Sequence, residues 1–576
     1  MNIKQYIPAL DWLANYDKAN LKGDLAAGLT VGVMLIPQGM AYAMIAGLPP
    51  IYGLYACTIP IILYALLGTS RQLAVGPVAM VSLLTASGIG AIAEGGTELY
   101  ILLAITLALF VGVLQFLLGV FRLGFLVNFL SHPVISGFTS AAALIIGLSQ
   151  LKHLLGVNIP RSHHITEIIG NAIGQFGAIN WITFGIGIGG IILIKSINKF
   201  NKSIPSQLVA VIFGVLLVWG FGLTNEGVKI VGEVPDGLPS FMLPSFEYTH
   251  WEVLLPIAIT IALVSFMESI AVAKSIQSKH RNYKIVPNQE LIALGAANIG
   301  GAFFQSYPVT GGFSRTAVND QAGAKTGLAS IFSVILIVLT LLFFTPLFYY
   351  LPKAILASVI MVAVFGLIDY QEVIHLWKSN RRDFVMLMVT FVATLTLGIE
   401  LGIGVGIILS LAVVLFQSTR PHVAILANVP KTDVYRNINR FNHLKEREDL
   451  TIIRFDNQLY FANVSYFKEV FEEELNRKTN TLKAIILSSD TIYDLDSSAV
   501  HALEEVLEDC KNRNVAVYFS GVRGPVRDAI KKGHLIEKIG ANNFFLNVQG
   551  AVDCFDKKNT IKGTSNFHEY TSQVNV

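Results

Sequence analysis

Charged residues are few in this chain. Asp, Glu, Lys and Arg make up 14% of its 576 residues, where a typical soluble protein has about 25%. The formal balance, +3, is too small to hold a polyanion, which excludes a nucleic-acid partner. Cysteine is rarer still. Cys57, Cys510 and Cys554 lie far apart with no C-x-x-C spacing, so neither a disulfide framework nor a zinc knuckle is indicated, and the reading includes no metal and no cofactor. A cleavable leader is also missing from the pattern. Residues 1–24 place Lys4, Asp11, Asp17, Lys18, Lys22 and Asp24 ahead of the first apolar run, which lacks a small-residue cleavage signature. That run reads as a first span behind a cytoplasmic N-terminal segment.

What the chain does hold is apolar length. Hydrophobic residues reach 53%, and a chain this long exceeds one soluble domain of about 100–200 residues. Apolar stretches of bilayer-crossing length, about 20 residues each, recur over 25–420, whereas 435–560 reads as a soluble domain and 561–576 as a polar, disordered tail. Hydropathy gives 14 segments, near 25–43, 51–67, 75–87, 99–118, 124–148, 176–195, 205–222, 253–273, 288–303, 312–323, 327–348, 354–368, 384–398 and 400–417. The third and tenth are too short to cross alone. Each follows a Gly/Pro stretch, Leu73-Ala-Val-Gly-Pro-Val78 and Tyr307-Pro-Val-Thr-Gly-Gly312. Short, interrupted segments at matching places in two halves point to a transporter's binding site. Seven segments per half is an odd number, so the second copy inserts upside down and an inverted repeat is expected.

Cations divide by side. With the N-terminus inside, the cytoplasmic loops collect Lys18, Lys22, Arg71, Arg122, Lys195, Lys199, Lys202, Lys274, Lys279, Arg281, Lys284, Lys378, Arg381, Arg382 and Arg420; the outer loops hold Lys152, Arg161, Lys229 and Lys353. This bias sets both termini in the cytoplasm. In the C-terminal part, Leu450–Phe455, Gln458–Ala462, Lys483–Leu487 and Val515–Phe519 read as strands, while Tyr466–Asn476 and Asp496–Asn512 read as helices. Strands alternating with helices predict an α/β domain with a largely parallel sheet.

Four motifs then carry a resemblance. Leu35-Ile-Pro-Gln-Gly-Met-Ala-Tyr42, Leu48-Pro-Pro-Ile-Tyr-Gly-Leu-Tyr55, Gly68-Thr-Ser-Arg71 and Val75-Gly-Pro-Val78 closely resemble the sulfate permease (SulP) family, and the C-terminal domain resembles the STAS domain that family carries. The resemblance covers nearly the whole chain. It implies an all-α polytopic membrane domain, 14 segments as a 7+7 inverted repeat split into core and gate domains, followed by a small α/β STAS domain. It also implies a homodimer, and half-helices three and ten meeting near the bilayer midplane.

Helix starts present bare N–H groups and about half a positive charge, so the residues Val75 to Met80 and Gly311 to Thr316 are read as an anion site. Gly311, Gly312, Phe313, Ser314 and Arg315 belong to it, with the alternative that Gly and Pro merely kink packed helices. Arg315 strengthens the field; the alternative is an interfacial arginine reaching outward. Gln38 and Tyr42 match family positions facing the same cavity, and Val78 shapes the pocket or simply packs. Glu268 lies in an otherwise apolar segment, where burial favours the neutral acid while Arg315 and the helix ends favour the carboxylate. An acid here is linked in the family to proton coupling, or to sodium where a hydroxyl follows one turn later. This chain has Val272 there, so the coupling partner is read as a proton, with sodium less favoured. A structural Glu268–Arg315 salt bridge is the alternative. Asp494-Leu-Asp-Ser-Ser498 opens a helix. Ser497 and Ser498 are candidate regulatory phosphate acceptors by the STAS resemblance, although capping by Asp496 or Ser497 explains the same residues.

Three patterns are set aside. Gly185-Ile-Gly-Ile-Gly-Gly190 matches a dinucleotide fingerprint but sits inside a span, and Gly402-x-x-x-Gly406 is likewise helix packing. His163-His164 with Glu167 reads as a polar outer loop rather than a metal site. The expected function is secondary active transport of small anions across the plasma (inner) membrane, sulfate first, then bicarbonate or dicarboxylates, with sodium coupling or exchange as the other modes. The rivals from other classes are an anion-sensing membrane protein without transport, and a membrane enzyme, for which no nucleophile–base pair is present.

Overall fold

The computed structural model describes residues 7–14, 16–90, 92–125, 131–158, 165–200, 204–244, 251–280, 283–441 and 443–560. His163, His164 and the tail 561–576 lie outside them. Two compact units result, Met1–Ser410 and Leu411–Val576.

Every expected membrane segment has a helix, the last of them running past Ser410. We number them α1 (Lys18–Ala46), α2 (Pro50–Leu67), α3 (Ala79–Gly90), α4 (Glu98–Val120), α5 (His132–Ser149), α6 (Trp181–Phe200), α7 (Ser206–Phe221), α8 (Trp251–His280), α9 (Pro287–Ala302), α10 (Phe313–Gln321), α11 (Leu328–Phe348), α12 (Lys353–Phe365), α13 (Arg381–Leu397) and α14 (Ile399–Thr419). Nine helices among the described residues are long and apolar enough to cross a bilayer by themselves. Local chemistry sets several ends. Asp17 caps α1 by accepting from the Ala19 N–H, and Gly47, at φ 85°, closes the same helix in the left-handed conformation that glycine adopts at no steric cost. Asn380 caps α13 through the Arg382 and Asp383 amides. The α11 span is not regular: it passes from α-helix through a π-turn at Thr340–Phe344 to a 3-10 turn at Thr345–Phe348. An amphipathic helix at Tyr370–Ser379, between α12 and α13, has no counterpart in the hydropathy reading.

The packing repeats itself. Helix α4 lies against α8 and α9, while α11 lies against α1 and α2; α5 lies against α13, while α6 lies against α12. Shifting every number by seven turns one set of pairs into the other, as an inverted repeat requires. The short third and tenth segments begin not as helices but as strands, β1 (Val75–Gly76) and β2 (Thr310–Gly311), which pair antiparallel with each other. Where α1 crosses α2 the backbones nearly touch: a Cβ on Gly53 would stand 1.9 Å from the Gly39 carbonyl oxygen.

The second unit has a six-stranded sheet in the order β4-β3-β5-β6-β7-β8: β3 (Val423–Asn428), β4 (Tyr435–Asn437), β5 (Leu450–Phe455), β6 (Ala484–Ser488), β7 (Ala516–Ser520) and β8 (Phe544–Phe545). Strands β5 to β8 run parallel, and β3 is antiparallel to both neighbours. Its first strand thus lies ahead of residue 435. Helices α15 (Val464–Arg477), α16 (Ser497–Asn512) and α17 (Gly524–Lys532) contribute to the core on one face, and a later helix, Val548–Thr560, covers the other. Both faces are therefore buried, which accounts for the near-continuous apolar run of β5. One expected strand is corrected. Gln458–Ala462 is a turn outside the sheet, with a single isolated bridge from Leu459 to Leu495. The buried Asn463 side chain causes it, accepting from the Tyr460 N–H at 3.0 Å and donating to the Gln458 carbonyl at 2.9 Å.

Candidate functional site

At the β1–β2 crossing one strand from each half of the membrane unit pairs with the other. Val75 pairs with Gly311 and Gly76 with Thr310, and within three residues each strand turns into a half-helix, α3 or α10. Gly76 has φ 151°, a backbone that L side chains rarely adopt. The flanking long helices α1 and α8 each pack against both half-helices.

Hydroxyls and amides hold the crossing in place. Ser269 Oγ, on α8, accepts from the Gly311 N–H at 2.8 Å and lies 2.7 Å from Thr310 Oγ1. Thr310 in turn donates to the Ser265 carbonyl. Thr316 Oγ1 accepts from the Ala74 N–H at 3.0 Å and donates to the Gly312 carbonyl at 2.7 Å. Asn298 braces Val309 through both its backbone groups. Sequence reasoning missed Ser269, Thr310 and Asn298 and took Thr316 for its amide alone, because single hydroxyls and amides are ordinary inside spans and nothing local names their distant partners.

This bracing corrects the expected donor set. The Gly311 N–H is taken by Ser269, and the Gly312 N–H donates to the Ala74 carbonyl at 3.0 Å. Both glycines serve close approach rather than donation: a Cβ on Gly312 would meet Arg315 Nη2 at 2.8 Å. Thr316 N–H already bonds back to Gly312. The first-turn amides of α10 are those of Phe313, Ser314 and Arg315, and Gly312 supplies no side-chain cap. On the other side Ser82 N–H bonds to Val78 O, so Ala79, Met80 and Val81 form the matching first turn.

Arg315 is 2% exposed, so it does not reach outward to an interface. Its Nη1 donates to the Pro77 carbonyl at 2.7 Å, which aims the guanidinium from α10 across to the strand exit before α3. Nε and Nη2 are buried without a partner, and so are Glu268 Oε2 and Gln38 Oε1. Glu268 and Arg315 stand in each other's field without forming a salt bridge among the described residues. Tyr42 lies within electrostatic reach of both, and Tyr307, whose hydroxyl is 3.2 Å from Ser82 Oγ, interacts with Arg315 and Tyr42. Val78 is buried beside α3. Ser314 is exposed, and Phe313, at 60% exposure, does not close over the crossing. Val272, one turn after Glu268, is buried and offers no oxygen. Chemically the membrane unit leaves two guanidinium donors of Arg315 and one acceptor each on Glu268 and Gln38 bare, where buried polar groups are normally satisfied.

The other patterns resolve separately. Gly402 and Gly406 pack on Thr394 and on Val134 with Thr390, and Gly187 and Gly190 pack on Leu154 and Ile355, but Gly185 and Gly189 face open space. In the second unit Asp496 is the cap of α16, accepting from the Ala499 N–H at 2.8 Å; Ser497 is exposed and Ser498 half-buried.

Comparison with known proteins places the chain by family and fold. The model described as the sulfate permease family matches residues 21–390, and that of the STAS domain matches 443–551. Sulfate transporter 4.1, chloroplastic, from Arabidopsis thaliana is 41% identical over 96% of this chain and 82% of its own length. High affinity sulfate transporter 2 from Stylosanthes hamata is 37% identical over 96% and 87%. Among solved structures, the murine Solute Carrier 26 family member A9 anion transporter in the inward-facing state superposes with a TM-score of 0.88 at 27% identity, covering 97% of this chain and 95% of that one. The transmembrane domain of a cyanobacterial bicarbonate transporter, BicA, shares the fold at a TM-score of 0.60 and 22% identity, over 68% of this chain and 98% of that one.

Proposed function

This chain belongs to the sulfate permease family, and from that premise we propose that it is a secondary active transporter of small anions, sulfate first among them, coupled to protons and working by alternating access. Family membership sets the membrane-enzyme reading aside. The observation that carries the proposal is the pair of unpartnered, buried guanidinium donors of Arg315 at the β1–β2 crossing. An uncompensated charge there costs about 2.5–3.5 kcal/mol on insertion scales, and an oxyanion between the starts of α3 and α10 offsets it. Gln38, Tyr42 and Val78 line the space on the α1 and α3 sides, and Ser314 adds a hydroxyl and an amide.

Glu268 is the coupling group in this reading. Its bare Oε2 sits where a proton converts an acceptor into a donor, and the missing oxygen at Val272 favours a proton over sodium. The moving body is the group α1–α4 with α8–α11, against α5–α7 with α12–α14. The protein works as a homodimer in the plasma membrane with both termini cytoplasmic, its second unit regulatory, and Ser497 the exposed hydroxyl where a phosphate would meet a helix start.

Purified protein in proteoliposomes tests the whole reading, with a panel of labelled anions and with pH and sodium gradients imposed separately. Sulfate uptake should rise with an inward proton gradient and ignore sodium. Preference for bicarbonate or a dicarboxylate would reassign the substrate, stimulation by sodium would overturn the coupling, and absence of flux for every anion would leave the sensor.

A further inference from the structure

The unpartnered groups at the crossing are of two kinds, and this restricts the ligand. Arg315 Nε and Nη2 can only donate, while Glu268 Oε2 and Gln38 Oε1 are acceptors as placed. A fully deprotonated oxyanion such as sulfate has acceptors alone, so it answers the guanidinium and leaves the carboxylate facing it unanswered. An oxyanion that keeps an O–H, such as hydrogenphosphate or hydrogencarbonate, answers both. Gln38 can adapt, because turning its amide exchanges the oxygen for an NH2. Glu268 cannot exchange donor for acceptor without gaining or losing a proton.

Resting on the anion site proposed above, we infer that Glu268 selects oxyanions by the proton they carry. Ionised, it admits an anion with its own O–H and disfavours sulfate; protonated, it donates to sulfate and competes with the O–H of the other class. The charge on α8 is left to do this by its surroundings. Arg315 from α10 and Tyr42 from α1 lie within electrostatic reach of Glu268. Helix α3 and strand β2 bring no titratable side chain. The α9 carboxylate, Glu290, is occupied by Tyr64, Thr69 and Ser70. On α4, Tyr100 donates to the Ala46 carbonyl and Glu98 is exposed in the first turn, while on α10 Asp320 is paired with Lys279 and His280. The selection therefore falls on one side chain.

The test is displacement of labelled sulfate from the purified full-length protein at about pH 6 and about pH 8, by phosphate and by monofluorophosphate, a tetrahedral dianion without an O–H. A mismatched buried hydrogen bond typically costs tenfold or more in affinity. Phosphate should therefore gain about tenfold over monofluorophosphate as pH rises, and Glu268→Gln, whose amide offers both donor and acceptor at every pH, should flatten that gain. Phosphate's own ionisation is the same against both proteins, so the difference between them belongs to residue 268. Equal competition by the two probes at both pH values, or a pH-dependent gain that survives in Glu268→Gln, would overturn the inference. Arg315→Ala, run alongside, separates the premise: if it still binds sulfate, the site itself is wrong, whatever Glu268 does. Gel filtration checks that each variant is folded, and Glu268→Asp, which keeps the carboxyl, should retain the pH-dependent gain.

Discussion

Arg315 shows how much one side chain can fix. Its Nη1 bond to the Pro77 carbonyl ties α10 to the chain two residues before α3, and its remaining two donors stay open. A charged hydrogen bond contributes about 1.5–3 kcal/mol, so Arg315→Ala should weaken sulfate binding by roughly tenfold to a hundredfold. Arg315→Lys should fall between the two, since one ammonium carries the charge without the planar fork. Equilibrium binding of labelled sulfate reads both, and an Ala variant with unchanged affinity would remove Arg315 from the site. Residues of this kind were legible in the sequence: an arginine, a glutamine and a glutamate inside apolar runs stand out on cost alone. The hydroxyls that orient them were not. Thr316 and Ser269 look like ordinary span residues until Ala74 and Gly311 arrive beside them.

Among the elements, hydropathy located every membrane helix because burial in lipid demands apolar length, and length is written locally. It could not see that segments three and ten start as paired strands, since a two-residue strand has no periodicity of its own. The strand expected at Gln458–Ala462 failed for a related reason: its apolar alternation was real, but Asn463 spends its side chain on the local backbone. Close helix crossings were only half visible. At Gly53 a methyl group would stand 1.9 Å from the Gly39 carbonyl oxygen, a contact of backbone with backbone that no side chain can relieve, whereas at Gly185 it would meet nothing within 4 Å. Gly53→Ala should therefore push α1 from α2 and lower stability by about 3 kcal/mol or more, beyond the usual overpacking range. Gly185→Ala should leave the melting temperature unchanged or slightly raised. Thermal unfolding of the two purified variants checks this, and equal stability would mean that the α1–α2 approach is looser than described.

At the scale of the molecule, the candidate site and the second unit are built independently. Each residue of the site, from Gln38 to Arg315, belongs to the unit Met1–Ser410, and the sheet of the other unit has apolar cores on both of its faces. A domain with its own cores does not need the membrane unit to fold, and a site without residues from that domain does not need it to bind. Removing residues 421–576 should then leave sulfate affinity within about twofold of the full chain, because no donor to the anion is lost. The turnover rate, or the fraction of dimer, should fall if the second unit has the regulatory and assembly roles proposed for it. Binding and uptake measured on the same truncated preparation, with light scattering for its mass, distinguish these effects. A tenfold loss of affinity with the dimer intact would mean that the second unit reaches the anion site after all, and the division of labour between the two halves of this chain would have to be redrawn.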